Sequence, residues 1–565
     1  MKPPLARPAA STLALVASLA LAAAPGVRAA EAPRLPPGAD AAAARISART
    51  LASPIRFLAS DLLEGRGPGG RGDQLARAYL ASELERLGYL PGAADGTYQQ
   101  RFEMVGMKLA APAGWTFAAA GGKSETLRWH DEWIAGAGAQ APRGEIRDAE
   151  LVFVGYGIQA PEYQWDDFKG ANLKGKVLVM LNNDPDWDPN LFAGNRRLYY
   201  GRWTYKYESA ARQGALAAII VHTTPSAGYP WQVVQTSWGG EEFQLPADPA
   251  EPRVLLAAWA TEDASRRIAA LGGKSLDELV AAARKRDFHP VPLGVKTSLA
   301  WETALRRIET ANVLGLLPGS DPKLREEVVV FSAHHDHLGV GEADKDGDAI
   351  YNGAVDNASG CAQLLSIADA FMALPEKPRR SVLFAFVAAE EQGLRGSEYF
   401  ARHPTFPAGK ITADVNFDAG NVFGRTKDVS YIGRGKSTLD GLVDALAATQ
   451  GRTVHGDALP DRGSFYRSDQ FNFAKIGVPS LYLDGGTTYL DPTKDGIQLQ
   501  ERYESTCYHQ PCDQIRDDWD YSGMVEDTRL GFLSGLALAT ADQGPTWNPG
   551  DEFEAARKAA LAAVK

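Results

Sequence analysis

Near-continuous apolar runs separated by helical stretches dominate the second half of the chain. Segments 328–332, 381–388, 411–417 and 478–483 have too few polar positions to leave one face in water, which marks them as strands covered on both sides. Segments 363–374, 439–449 and 528–540 read as helices between and after them. This alternation from about Thr310 onward predicts an α/β domain, a doubly wound, mostly parallel sheet flanked by helices. Nearer the start, 55–62 and 74–87 predict helices, the second with Leu75, Tyr79, Leu84 and Leu87 on one face. The Gly-rich stretch from Glu64 to Gly72 between them superficially resembles a phosphate-cradling loop. No buried strand feeds it and the Lys-Ser/Thr ending is absent, so it reads as a connection able to pack close to an active site.

Between about 145 and 295 the texture changes. Short β-type runs at 151–156, 176–181 and 216–222, a helix-like 208–214, and loops rich in Trp, Tyr, Pro and Gly predict a separate α/β or mostly β module. His222 within it reads as a strand-end packing residue. The last residues, within a tail at 546–565, read as a solvated terminal helix. At the other end Lys2 and Arg7 precede an apolar run from Leu13 to Ala24, broken by Pro25 and Gly26 before Val27-Arg28-Ala29. This predicts a secretory signal over 1–29 and an exported protein, periplasmic or secreted. The run is too short to span a bilayer and no later stretch reaches about 20 apolar residues, so no membrane anchor is expected.

Composition narrows the classes further. Over 565 residues, 45% hydrophobic content excludes a disordered chain, and 59 Lys+Arg against 70 Asp+Glu makes nucleic acid and anionic lipid poor partners. Three cysteines are too few for a disulfide framework.

Ligands of open parallel sheets bind outside the carboxyl ends of the strands, so the residues after each apolar run carry the chemistry. The first run exits into His334-His335-Asp336-His337, the second into Glu390-Glu391, the third into Asp418, and Asp356-Asn357 opens a helix between the first two. Singly, each has a plain reading: a helix cap, a packed histidine, a solvated turn. Together, several convergent carboxylates without a cation would repel one another, which argues for bound metal. Strand alternation puts His334 and Asp336 on one face, His334 as a ligand and Asp336 as the carboxylate that takes its far ring N–H. It puts His335 and His337 on the other face as structural or rim residues. Imidazole mixed with carboxylate favours zinc and is compatible with manganese or cobalt. Asp344 to Asp348 hints at a calcium loop but lacks the Gly and Glu that such a loop needs at 349 and 355, and reads as solvated. No His-Glu-x-x-His helix, Gly-x-Ser-x-Gly elbow or dinucleotide fingerprint is present.

The ordered set His334-x-Asp336, Asp356-Asn357-x-Ser359-Gly360, Glu390-Glu391, Asp418 and Tyr508-His509-Gln510-Pro511-Cys512-Asp513 resembles the co-catalytic dizinc aminopeptidase family. That family includes secreted bacterial leucyl aminopeptidases, glutamate carboxypeptidase-like enzymes and, as a divergent branch, glutaminyl cyclases. The resemblance implies two Zn2+ ions bridged by Asp356, one also held by His334 and Asp418, the other by Glu391 and His509. It implies a cis peptide after Asp356, Glu390 as general base and Tyr508 steadying the oxyanion. It divides the chain into an N-terminal part of the peptidase domain at 42–140, an inserted module at 145–295 similar to a protease-associated domain, and the catalytic domain at 305–545. The implied substrates are peptides with a free N-terminus. A carboxypeptidase or glutaminyl cyclase on the same fold, or a catalytically inactive binding protein, are the alternatives, and the last predicts missing ligands where none is missing. Cys507 and Cys512 flank His509 and are either a small disulfide, favoured in an oxidising compartment, or two free thiols. Cys361 reads as a buried small hydrophobe.

Overall fold

The computed structural model describes residues 33–238 and 240–564, so the signal-like segment at 1–29 lies outside the described residues. Four parallel strands form the centre, in the order Ser381–Val387, Val328–His334, Ile411–Asn416, Ser480–Asp484. They are the four apolar runs read from the sequence. Antiparallel strands flank them, Val291–Leu317 beside Ser381–Val387 and Asp428–Ile432 beside Ser480–Asp484. Gln99–Ala110 and Thr453–His455 complete the sheet. Flanking strands are half polar and shorter in apolar run, which is why only the parallel centre stood out.

Helices cover both faces, as a doubly wound sheet requires. Ala48–Leu58, Arg71–Leu87, Gly360–Met372 and Ser522–Thr540 pack on one side, Arg395–Arg402 and Gln470–Lys475 on the other. Along Val328–His334 the side chains divide accordingly: Val329, Phe331 and Ala333 join the first core, Val328 and Val330 the second. Phe331 stacks on Phe384 at 5.2 Å and meets Phe371 edge-on at 5.6 Å. Gly535 lets the long C-terminal helix approach this ring, since a Cβ there would lie 2.1 Å from the Phe331 ring. The helix expected at 55–62 instead starts at Ala48, where Ser47 and Thr50 form a capping box, and Pro54 in its interior masks that start.

The second sheet is built on four parallel strands, Arg143–Phe153, Val177–Leu181, Ala217–His222 and Leu256–Thr261. Parallel neighbours need long crossovers, here carrying helices such as Trp203–Arg212, so this region is α/β rather than mostly β. Trp133–Ala137 and Gly114–Ala119 pair with it too, at Leu256–Thr261 and Val291–Leu317. The stretch 114–137 is thus hydrogen-bonded to Leu256–Thr261 and to the first half of Val291–Leu317. His222 is buried against Trp231 and Trp259, a packing residue.

One strand joins the two sheets. Val291–Leu317 runs for 27 residues, pairing first with Arg143–Phe153 and Gly114–Ala119, then with Gln99–Ala110 and Ser381–Val387. Its first half alternates, with Leu293, Val295, Thr297, Leu299 and Trp301 buried and the residues between them facing out. Its middle, Leu305-Arg306-Arg307-Ile308-Glu309, is held by ion pairs to Glu241, Glu103 and Arg101 and breaks the apolar pattern. That break concealed the continuity of the strand, which runs through the interval 295–305 between the two bounds read from the sequence.

Phe331→Ala removes a fully buried ring from the centre of the first core and is expected to destabilise the protein by about 3–5 kcal/mol. A denaturation midpoint within error of wild type would show that this packing does not govern stability.

Candidate metal centre

Each apolar strand ends by delivering a side chain to one place. Val328–His334 ends on His334, Ser381–Val387 leads into Glu390 and Glu391, and Ile411–Asn416 leads into Asp418. Asp356 comes from the kinked turn before Gly360–Met372, where the Asp356–Asn357 peptide is cis. His509 follows the helix Gly496–Thr506, inside a loop closed by the Cys507–Cys512 disulfide. Cys361 is free and buried.

Asp356 is the hub. Its Oδ1 lies 3.2 Å from His334 Nε2 and its Oδ2 lies 3.3 Å from His509 Nε2. His334 Nε2 is also 3.2 Å from Asp418 Oδ1, and His509 Nε2 is 2.9 Å from Glu391 Oε2. Donor atoms of His334, Asp356 and Glu391 all lie within 4.8 Å of one another. Zinc with ligands at 2.0–2.1 Å in a tetrahedron would separate its donors by about 3.3 Å, so these spacings fit such an ion. The buried Nε2 atoms of His337 and His509 have no hydrogen-bond partner, the state of a ligand nitrogen reserved for a cation.

The electrostatics agree. Burial, then Glu391 and Asp418, push the Glu390 carboxyl well above the usual range despite His334 beside it. Burial acts to raise Glu391 too, but His509 and His337 outweigh it and hold Glu391 at about 2. Burial would keep His509 neutral, yet Glu391 and Asp356 lift it to about 10. Four acids crowd this site, and their mutual repulsion is what a divalent ion relieves.

The residues around the hub hold it in place. Asp336 accepts the backbone N–H of Glu390 at 3.0 Å and of Glu391 at 3.3 Å, tying the second strand end to the first. The expected acceptor for the far nitrogen of His334 was this carboxylate; it is 3.6 Å away, and the main-chain carbonyl of Asp336 is nearer at 3.3 Å. His337, assigned to the opposite face as a structural or rim residue, is fully buried on the side of the cluster, its Nδ1 2.6 Å from Glu391 Oε1. Alternation failed there because the strand ends at His334 and the chain turns. Asn357 accepts the N–H groups of Gly360 and Ala419, and Asp513 those of Val355 and Asp356.

Two further contacts escaped sequence reading altogether. Arg66, in the Gly-rich loop, is fully buried and donates to the carbonyls of Leu58, His335, Asn352 and Gly353, clamping the stretches beside His334 and Asp356. Gly65 makes this possible, since a Cβ there would lie 2.4 Å from the carbonyl oxygen of Gly339 and its φ is +66°. Ser237, in the second sheet's helix Trp231–Trp238, places its hydroxyl 3.1 Å from His509 Nδ1, the orientation that leaves Nε2 free toward the acids. Tyr508 stacks on His509 with ring centroids 3.9 Å apart, and its hydroxyl accepts from Arg467 at 3.2 Å. Asp356, Glu390, Asp418 and Tyr508 line one open cavity.

A doubly wound sheet with carboxylate and imidazole donors converging at its strand ends defines a metallohydrolase type of centre. Residues 312–533 match the model of Peptidase family M28. The chain is 27% identical over 253 residues to leupeptin-inactivating enzyme 1 of Streptomyces exfoliatus, covering 43% of this chain and 51% of that one. It is 26% identical over 267 residues to aminopeptidase Y of Saccharomyces cerevisiae, covering 45% and 44%. The match spans about half the length of these curated relatives. The solved aminopeptidase from Aneurinibacillus sp. strain AM-1 shares the fold, with a TM-score of 0.51 and 18% identity over 90% of this chain and 96% of that one. Among the described residues no helix is long and apolar enough to cross a membrane.

Ser237→Ala is expected to weaken metal binding about 10–100-fold with no loss of fold, read by competition with a chromogenic chelator, and Ser237→Thr to restore it. Unchanged affinity in the alanine variant would make the contact incidental.

Proposed function

We propose that this chain is an exported dizinc aminopeptidase, its catalytic domain at 305–545 preceded by an N-terminal part at 42–140 and a protease-associated-like module at 145–295. One observation carries the reading: each oxygen of Asp356 faces a different imidazole, the arrangement a bridging carboxylate needs. His334 and Asp418 would hold one zinc ion, Glu391 and His509 the other, with manganese or cobalt compatible with the same donors. Bound there, the ions polarise the scissile carbonyl and lower the pKa of the attacking water.

The rest falls to this chain's own groups. Glu390, 4.0 Å from His334 Nε2 and facing the cavity, takes a proton from the water at its carboxylate and delivers it to the leaving amine. Asp336 holds the backbone that carries Glu390, so the base is positioned without being a ligand. Tyr508 donates its hydroxyl proton to the developing oxyanion; because the same oxygen already accepts from Arg467, that proton is left for substrate. Peptides with a free N-terminus are the substrates, their ammonium drawn to the acidic end of the cavity. The basic and apolar pattern of 1–29 supports export, and nothing in the charge balance favours nucleic acid.

Incubation with a peptide library in free and N-acetylated forms is expected to release single N-terminal residues from the free forms only, and chelator is expected to stop it. Loss of C-terminal residues from both forms would make the enzyme a carboxypeptidase instead. Glu390→Gln is expected to keep both ions while turnover falls about 10²–10⁴-fold, and near-normal rates would remove Glu390 as base. Asp356→Ala is expected to lose metal, measured by elemental analysis; two ions retained would refute the bridge.

A further inference from the structure

The cavity that holds Asp356, Glu390 and Asp418 continues past them along the chain after Asp418 and after the strand Ser480–Asp484. Its wall there is built from small residues, Ala419, Gly420, Gly485 and Gly486, with the buried Tyr489 ring beside them, so it is not filled by its own side chains. Asp484 faces this part. It lies two residues beyond Tyr482, on the same face of the strand, and both line the cavity. The Tyr482 hydroxyl donates to the main-chain carbonyl of Asp418 at 3.0 Å, which fastens the wall bearing Asp484 to the metal centre. Asp484 Oδ1 accepts the N–H of Gly485 at 2.7 Å; among the described residues its Oδ2 accepts no hydrogen bond and the carboxylate has no ion-pair partner. Acids close by are paired. Asp428, on the adjoining strand, meets His455 at 2.9 Å, and Asp527 meets Arg452 at 2.6 Å. Of the other acids lining the cavity, Glu504 is paired with Arg462, and Asp356, Glu390 and Asp418 belong to the metal centre.

A carboxylate withdrawn from bulk water without a cation costs free energy, and a purely structural one would be paired as Asp428 and Asp527 are. We propose that Asp484 selects the first residue of the substrate, so that peptides beginning with Lys or Arg are favoured over those beginning with an uncharged side chain of the same length. The inference rests on the aminopeptidase reading above. Under that reading the scissile carbonyl and the α-ammonium are held at the Asp356, Glu390 and Asp418 end. The leaving part of the peptide has no fixed length and must run out to solvent, so the side chain of the first residue is what enters the part of the cavity bearing Asp484. The apolar stem of Lys or Arg packs along Tyr489 and the small residues, and its charged head meets the free Oδ2 of Asp484.

Hydrolysis of dipeptide amides by the zinc-loaded full chain tests this in three pairs matched in shape and differing in charge: Lys-Ala against norleucine-Ala, Arg-Ala against citrulline-Ala, and Leu-Lys against Leu-norleucine. A charge-assisted bond is expected to give the cationic member of each of the first two pairs about a 10–100-fold advantage in kcat/KM, mainly through KM, and to leave the third pair within about 3-fold. In Asp484→Asn and in Asp484→Ser the ratios of the first two pairs are expected to fall to about 1–3, while Asp484→Glu keeps the cationic member ahead; if one variant does not fold, the others and the wild-type ratios still decide. Wild-type ratios near 1, an advantage confined to the third pair, or ratios unchanged in the asparagine and serine variants would overturn the role of Asp484 and leave the aminopeptidase reading standing. No cleavage of any peptide would overturn that reading and the role of Asp484 with it.

Discussion

Mutual repulsion among buried carboxylates, brought together by two parallel strand ends and one helix entry, sets the terms for the rest of this molecule. Asp356, Glu390, Glu391 and Asp418 lie within a few ångströms of His334 or His509, in surroundings where burial alone would keep Glu390 and Glu391 protonated. A fold tolerates such crowding only if the backbone beneath it cannot relax. The tight parallel centre, with Phe331 and Phe384 stacked under the strand ends, supplies that rigidity. Under the proposed reading, divalent cations supply the balancing charge, and the repulsion among the carboxylates becomes affinity for them.

Rigidity at the hub is bought with backbone hydrogen bonds rather than with side-chain ion pairs. Asp336 holds the Glu390–Glu391 turn, Asn357 the stretch reaching Asp418, Asp513 the turn bearing Asp356, and Arg66 the main chain on either side. These four groups are themselves buried and come from separated parts of the chain. The backbone beside His334, Asp356, Glu391 and Asp418 is therefore held by residues that do not themselves belong to the cluster, which is the usual requirement for a preorganised metal site.

The second sheet is bound to this centre by two kinds of link. Val291–Leu317 passes through both sheets, so their relative placement is set by a shared hydrogen-bond ladder. The helix Trp231–Trp238 then brings Ser237 to His509. A region that first reads as an accessory module thus forms one wall of the site.

The parallel centre and the candidates His334, Glu390, Glu391 and Asp418 were legible in the sequence because buried strands write themselves as unbroken apolar runs, and parallel sheets put chemistry at the ends of those runs; Asp356 was read at a helix entry and His509 came only with the family resemblance. The alternation rule was reliable only while the strand lasted: it holds through His334 and misplaces His337, whose position depends on a turn. The single strand through 291–317 was hidden by charged residues that are satisfied by partners on neighbouring strands. Arg66 and Ser237 carried no local signal at all, since what matters is which distant carbonyl or imidazole each meets. Local pattern thus determined the elements and the kind of chemistry, while long-range contacts, which no local periodicity encodes, decided how the donors are oriented and what surrounds them.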